Sequence, residues 1–290
     1  MVLNKTIKLN NGVEIPVLGL GTWLLDESIA AETVIQALKA GYRHIDTAEA
    51  YQNEKAIGEG IRKSGIPRDQ IFLTTKVVAE IKDYEEAKKA IQKSLDDLDI
   101  GYIDLMLIHS PQPWANFRNG NHYEEGNLAV WKALEEFYKA GKIKAIGVSN
   151  FEKVDIENIL KHGTVRPAVN QILVHISNTP FKLIEYCQSE GIAIEAFSPI
   201  GHGEILKNPT LIEMAKNYNV SVPQLCIRYD VQLGLIVLPK STNPEHIKSN
   251  GEVDFVISDK DMETLKNIER IKDYGESTMY FTGFMLDSYV

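Results

Sequence analysis

Four side chains in this sequence have the types and spacing to move a proton: Asp46, Tyr51, Lys76 and His109. A tyrosine with a phenolic pKa of about 10 is a weak acid near neutrality unless nearby charge stabilises its phenolate. An ammonium beside the phenol does that, and a carboxylate beside the ammonium holds it in place. The residues suited to those tasks are Lys76 and Asp46, so the expected relay has Lys76 lowering the pKa of Tyr51 and Asp46 pairing with Lys76. His109 adds a ring nitrogen that can donate a hydrogen bond to a carbonyl oxygen, orienting it and stabilising the negative charge that develops there. Tyr51 is then the acid.

These groups work together only if the fold converges on them. GYRHID ends at Asp46, IFLTTK at Lys76 and IDLMLIH at His109, so 30 residues separate the first pair and 33 the second. Each step is one strand-and-helix unit. In a barrel of parallel strands the carboxyl ends of neighbours share one rim, where sites are built. Tyr51 can join from the loop after Asp46. IDLMLI is almost continuously apolar, as a parallel strand covered on both faces must be. Further strands are expected at Val17–Gly21, Lys144–Ser149, Ala168–Gln171, Ala193–Phe197 and Leu235–Pro239. Helical spacing of apolar residues marks a segment around Ala30, Val34, Ala37 and Leu38, another over Asn53–Ser64, and one over Tyr84–Leu98. The eight units carry no Pro- or Gly-rich linker and no internal repeat. The expected fold is therefore a single α/β domain over 1–290, a (β/α)8 TIM barrel, with a doubly wound sheet as the alternative. Ahead of it, Asn11-Gly12 between residues 6–9 and 14–16 predicts an N-terminal β-hairpin acting as a small lid or plug.

Bulk properties exclude several function classes. The net charge of -9, from 31 basic and 40 acidic residues, argues against a nucleic-acid surface, so any anion site must be local. No apolar run is long enough to span a bilayer, and MVLNKTIKLNNG lacks a secretory pattern. The two cysteines, Cys187 and Cys226, sit in helix-like context. A reduced, cytoplasmic protein is expected, with monomer as the default because no apolar interface is evident. His44, Asp46 and His109 offer no close pair of ligands from two strands, so no metal is expected.

Six strings in register, GYRHIDTAEAYQNE, FLTTKV with Lys76, LIHSP around His109, GVSNF at Gly147–Phe151, VNQ at Val169–Gln171 and PKST at Pro239–Thr242, resemble the aldo-keto reductases. The resemblance covers about Lys8 to Asn250 and implies a barrel that transfers hydride from NADPH to an aldehyde or ketone. It implies Asp46, Tyr51, Lys76 and His109 as the catalytic tetrad, with Tyr51 as proton donor. It further implies that Ser149, Asn150 and Gln171 hold the nicotinamide carboxamide and that Phe197 stacks on the ring, with Ser198 beside it. The following loop has Gly201 and Gly203, which permit close backbone approach to a pyrophosphate. Lys240, Ser241 and Thr242 would take the adenosine 2′-phosphate, and Asn250 the adenine. No GxGxxG follows a strand, so a Rossmann site is not expected.

Two positions depart from the family pattern. His246 stands where arginine is usual, losing the permanent charge and the bidentate fork of a guanidinium, so NADH use alongside NADPH is expected. Ser110 stands where many relatives have tryptophan, which predicts a wider or more polar pocket unless Trp114 or Phe117 folds in. Trp23, Val77 and Trp114 are the expected substrate-pocket residues, and Met279–Val290 suits a loop across the barrel mouth. The alternative functions are a catalytically slow NADP(H)-sensing regulatory subunit and a lyase or isomerase using Lys76 as a Schiff base. The second needs a neutral lysine, which Asp46 opposes.

Overall fold

The structure is a computed structural model that describes residues 1–271 together with Asp273 and Tyr274. Met279–Val290, expected across the barrel mouth, lies outside the described residues.

Two short strands, β1 (Thr6–Lys8) and β2 (Glu14–Pro16), pair antiparallel with Thr6 opposite Pro16 and Lys8 opposite Glu14. Gly12 in the turn has φ +88°, the left-handed geometry that makes Asn11-Gly12 legible. The hairpin is a plug. Leu9 and Ile15 are buried against Phe72, Leu105, Ala145, Val169 and Ile236 at the amino ends of the barrel strands. Asn10 Nδ2 donates to the Pro167 carbonyl at 2.8 Å and Asn11 Nδ2 to that of Lys144 at 3.0 Å, fixing it there.

Eight further strands follow: β3 (Leu20–Gly21), β4 (His44–Asp46), β5 (Phe72–Val77), β6 (Ile103–Ile108), β7 (Ile143–Ser149), β8 (Val169–Leu173), β9 (Ala193–Phe197) and β10 (Ile236–Leu238). All pair in parallel and in sequence order from β3 to β10. The ring closes through the Leu18–Val237 bridge, where Gly19 N donates to the Val237 carbonyl at 2.9 Å and Val237 N to that of Val17 at 2.8 Å. Sequential order and closure identify a (β/α)8 barrel and exclude the doubly wound sheet.

Outside the ring lie α1 (Glu27–Lys39), α2 (Glu54–Lys63), α3 (Tyr84–Leu98), α4 (Glu124–Lys139), α5 (Lys153–His162), α6 (Phe181–Ser189), α7 (Pro209–Asn217), α8 (Val222–Gln232), α9 (Pro244–Gly251) and α10 (Asp259–Lys266). Asp26, Asp83, Asn208, Ser221, Asn243 and Ser258 cap six of these with side-chain oxygens, which is why the helices begin where they do. The link from β9 to β10 carries two helices, α7 and α8, which with Ile257, Met262 and Leu265 enclose a second small core. Cys187 and Cys226 are both buried and free.

Strand alternation sorts the barrel residues into two sets. Leu73, Val77, Met106, Ile108, Ile146, Val148, Ile172 and Ile194 face the helices and join the main core. The other set faces the lumen, apolar at the plugged end and polar toward the far rim, where His44, Asp46, Lys76, Gln171 and Glu195 are all buried. The lumen has little spare room: a Cβ on Gly147 would lie 2.6 Å from the Val169 carbonyl oxygen and 2.8 Å from Leu107.

Candidate active site

The three strand ends converge as their spacing suggests. Lys76, with no exposed surface, points its ammonium at Asp46 Oδ1 and Oδ2 at 2.8 and 2.9 Å and at the Thr47 carbonyl at 2.8 Å. Tyr51 Oη lies 3.5 Å from the same nitrogen, and its ring centroid 5.1 Å. The Tyr51 ring meets His109 edge-on at 5.7 Å between centroids. Burial works against a charged lysine, but the Asp46 carboxylate, Tyr51, the hydrogen bonds to Asp46 and Glu195 outweigh it and hold Lys76 above its ordinary pKa. An ammonium with that many acceptors stays charged.

Tyr51 itself departs from the sequence expectation. Burial raises its pKa, Lys76 lowers it and Asp46 raises it again, with a net shift upward. Lys76 alone acts in the direction expected; desolvation of a phenolate at the rim is the larger effect. The phenol is therefore held protonated through the neutral range. His109 is pulled well below 6.5, first by burial and then by the Lys76 charge, so its ring is neutral. Its Nδ1 is buried and has no hydrogen-bond partner among the described residues.

Local structure accounts for the position of Tyr51. A single 3₁₀ turn, Glu49–Tyr51, follows Asp46, and Gln52 then adopts φ +56° before α2 begins. Asn53 ties this turn down: its Oδ1 accepts from Thr47 Oγ1 at 2.8 Å, and its Nδ2 donates to the carbonyls of Thr22 and Leu25. Glu54, at the start of α2, accepts from Thr75 Oγ1 at 2.6 Å and Ser94 Oγ at 3.1 Å, locking the helix to β5 and α3.

The residues expected around a nicotinamide sit on the neighbouring strand ends. Asn150, at φ +61°, donates from Nδ2 to the His109 carbonyl and to Ser149 Oγ, both at 3.0 Å. Its Oδ1 is buried and has no partner among the described residues. Ser149 Oγ donates to the Gln171 carbonyl at 3.0 Å. Gln171 reaches across the lumen, with Nε2 donating to Asp46 Oδ2 at 2.8 Å and to Glu195 Oε2 at 2.9 Å. Phe197 ends β9 half-buried, and Ser198 follows at φ +52°. Gly201, His202 and Gly203 are all left-handed, at φ +50°, +53° and +91°, which turns the loop back toward the rim. There the His202 ring meets Trp23 edge-on at 5.2 Å.

The anion candidates form a second group on the same rim. Lys240, Ser241 and Thr242 follow β10 and lead into α9, whose N-terminus is capped by Asn243. A helix N-terminus beside a lysine suits a phosphate. His246 is exposed on the first turns of α9, and Asn250, near its end, is buried.

The structure places three of the residues named for the pocket. Ser110 is fully buried, its Oγ accepting from the Gln112 amide at 3.2 Å, so it opens no space. Trp114 folds in instead, edge-on to His109 at 5.2 Å and beside Phe117 at 5.5 Å. Val77 is a correction: strand alternation puts it opposite Lys76, wholly buried against the helices, and it lines no pocket. Sequence reasoning missed Glu195, His175 and Tyr274 here, and weighed His44 only as a metal ligand. Tyr274 is buried and its Oη lies 2.8 Å from His175 Nε2. Glu195 had a signal, a charged residue two before Phe197 on the lumen side of an otherwise apolar strand.

The sequence pattern of the aldo/keto reductase family matches residues 17–270. Glyoxal reductase of Bacillus subtilis (strain 168) is 40% identical over 275 residues, covering 94% of this chain and 96% of that protein. Glycerol 2-dehydrogenase (NADP(+)) of Saccharomyces cerevisiae is 39% identical over 289 residues, with 92% of each chain covered. Among solved structures, an aldo/keto reductase from Brucella melitensis superposes with a TM-score of 0.84 at 40% identity, covering 91% of this chain and 98% of its own. No helix among the described residues is long and apolar enough to cross a membrane. With a family match over most of its length and the same barrel, this chain belongs to the aldo/keto reductases and is an NAD(P)H-dependent oxidoreductase.

Proposed function

We propose that this protein reduces aldehyde or ketone carbonyls to alcohols with NADPH, Tyr51 donating the proton. The observation that carries this reading is the set of contacts around Lys76: two Asp46 oxygens and the Thr47 carbonyl on one side, the Tyr51 hydroxyl on the other, and neutral His109 alongside. A reductive proton donor must be protonated before reaction and tolerate negative charge afterwards. Burial gives Tyr51 the first property, and the charged Lys76 gives it the second. Neutral His109 donates a ring N–H to the carbonyl oxygen and orients it toward Tyr51. Asp46 holds Lys76 and keeps it charged.

The residues present fit a nicotinamide cofactor. The NH₂ of a carboxamide needs acceptors, and buried Asn150 Oδ1, without a protein partner among the described residues and close to Ser149 and Gln171, provides one. Bound there, the cofactor supplies the hydride. Phe197 offers a face for the ring, Lys240, Ser241 and Thr242 at the α9 N-terminus would take the 2′-phosphate, and Asn250 the adenine. His246 leaves that grip on the 2′-phosphate weaker than an arginine would, so NADH is a poorer but usable donor.

Trp23, Trp114 and Phe117 make an aromatic mouth that favours small or planar carbonyl compounds, in keeping with the names of the Bacillus glyoxal reductase and the yeast glycerol 2-dehydrogenase. The test is a panel of aldehydes and ketones, glyoxal and glyceraldehyde included, followed by loss of NADPH absorbance. Turnover of one or more aldehydes is expected; binding of NADPH without turnover of any would overturn the reading.

A further inference from the structure

The lumen below the candidate active site holds a carboxyl group that the proposed chemistry does not use. Glu195 is wholly buried on β9, opposite Gln171 of β8 in the strand register. Its Oε2 accepts one Gln171 Nε2 proton at 2.9 Å, while Asp46 Oδ2 accepts from the same nitrogen at 2.8 Å. An amide nitrogen has two protons. Both are therefore engaged, one by β9 beside it and one by β4 across the barrel. The other Glu195 oxygen lies 3.4 Å from His44 Nε2, which is itself 3.0 Å from Thr74 Oγ1. Glu195 is thus held by a hydrogen bond from β8 and lies against His44 of β4, to which its second oxygen makes no hydrogen bond. The charged and titratable groups facing it are Asp46, Lys76 and His44.

We propose that Glu195 is a positioning residue that locks the Gln171 side-chain amide with its NH₂ inward, leaving the side-chain oxygen Oε1 to accept from the nicotinamide carboxamide. The warrant is acceptor geometry. Two carboxyl groups on opposite sides of one amide nitrogen leave a single rotamer that satisfies both. A single carboxyl would permit the amide to turn about its last torsion, and Oε1 would lose its aim. Because Asp46 also holds Lys76, this amide joins cofactor recognition to the proton relay. The proposal rests on the NADPH reading above.

The experiment measures affinity for two ligands, NADPH and its fragment 2′-phospho-ADP-ribose, which lacks nicotinamide, by quenching of tryptophan fluorescence. If the wild type binds both equally well, nicotinamide is not recognised and the cofactor reading fails together with this proposal. If the wild type prefers NADPH, Glu195→Leu should reduce that preference about fivefold to tenfold, the worth of one well-aimed hydrogen bond. Glu195→Gln, which keeps an acceptor oxygen in place, should stay within about twofold of the wild type. Gln171→Leu should lose as much as Glu195→Leu, and the double variant no more. A general structural role would weaken both ligands equally. An unchanged preference in Glu195→Leu, or equal loss for both ligands, overturns the proposal. Should Glu195→Leu fail to fold, Glu195→Asp withdraws the carboxyl by one methylene and should show the same selective loss; an unchanged preference there overturns it equally.

Discussion

Replacing Asp46 by asparagine isolates what the buried ion pair does. In the wild type, Lys76 has three strong acceptors, and Asp46 supplies two of them along with the compensating charge. The substituted amide keeps the shape, still accepts from Gln171, and removes the charge. A buried ammonium that loses its counter-ion costs about 3–5 kcal/mol. At about 2–4 °C per kcal/mol for a large domain, the expected fall in Tm at pH 7 is about 6–20 °C. The second consequence is chemical. With the carboxylate gone, burial pulls Lys76 down, and the ammonium that stabilises the Tyr51 phenolate is lost as pH rises through the new, lower pKa. Aldehyde reduction should fall by about 10²–10⁴, the range of general acid catalysis, and its alkaline limb should move to lower pH. Thermal melts by circular dichroism and initial rates between pH 5 and about 9 read both. An Asp46→Asn variant with wild-type Tm and an unshifted profile would refute the claim that Asp46 keeps Lys76 charged.

Three further outcomes are expected. His246→Arg should tighten NADPH binding about tenfold through a charge-assisted contact to the 2′-phosphate and leave NADH unchanged, read as the ratio of Michaelis constants for the two cofactors. Glu195 has its pKa raised to about 8, first by burial and then by Asp46, from 4.5. A raised folded-state pKa gives stability that is complete below pH 4.5 and lost as pH rises through about 8, so the wild-type Tm should decline over that window more steeply than that of Glu195→Gln. Gly19→Ala would put a Cβ 2.8 Å from the His44 ring and from Leu238, and should lower stability by about 1–3 kcal/mol in denaturant unfolding.

What can be read from sequence follows a physical divide. Strand ends are marked by the change from apolar run to polar residue, so sequence alone puts Asp46, Lys76 and His109 on one rim. The approach of Trp114 to His109 is also legible, because a loop after Ser110 can fold back. Val77 is misread when adjacency to Lys76 is given more weight than the period-two alternation that turns it to the helices. The pKa of Tyr51 takes the opposite net direction because a sequence shows which charges are present and not how much water burial removes. Glu195 is passed over, and His44 is weighed only as a metal ligand, for a related reason. A polar residue inside a barrel gains meaning from partners on strands across the lumen, and Gln171 and Asp46, one such pairing, are 125 residues apart. Tyr274, tethered to His175 over 99 residues, escapes on the same ground.

The central claim is that Tyr51 gives its proton to the carbonyl oxygen while Lys76, held by Asp46, steadies the charge left behind. The most direct measurement is the single-turnover rate of NADPH oxidation by Tyr51→Phe with a good aldehyde, alongside NADPH affinity. Phenylalanine keeps the ring packed on His109 and removes only the hydroxyl 3.5 Å from Lys76. Hydride transfer is expected to slow by about 10²–10⁴ with NADPH affinity within about twofold of the wild type. Transfer at the wild-type rate would contradict it.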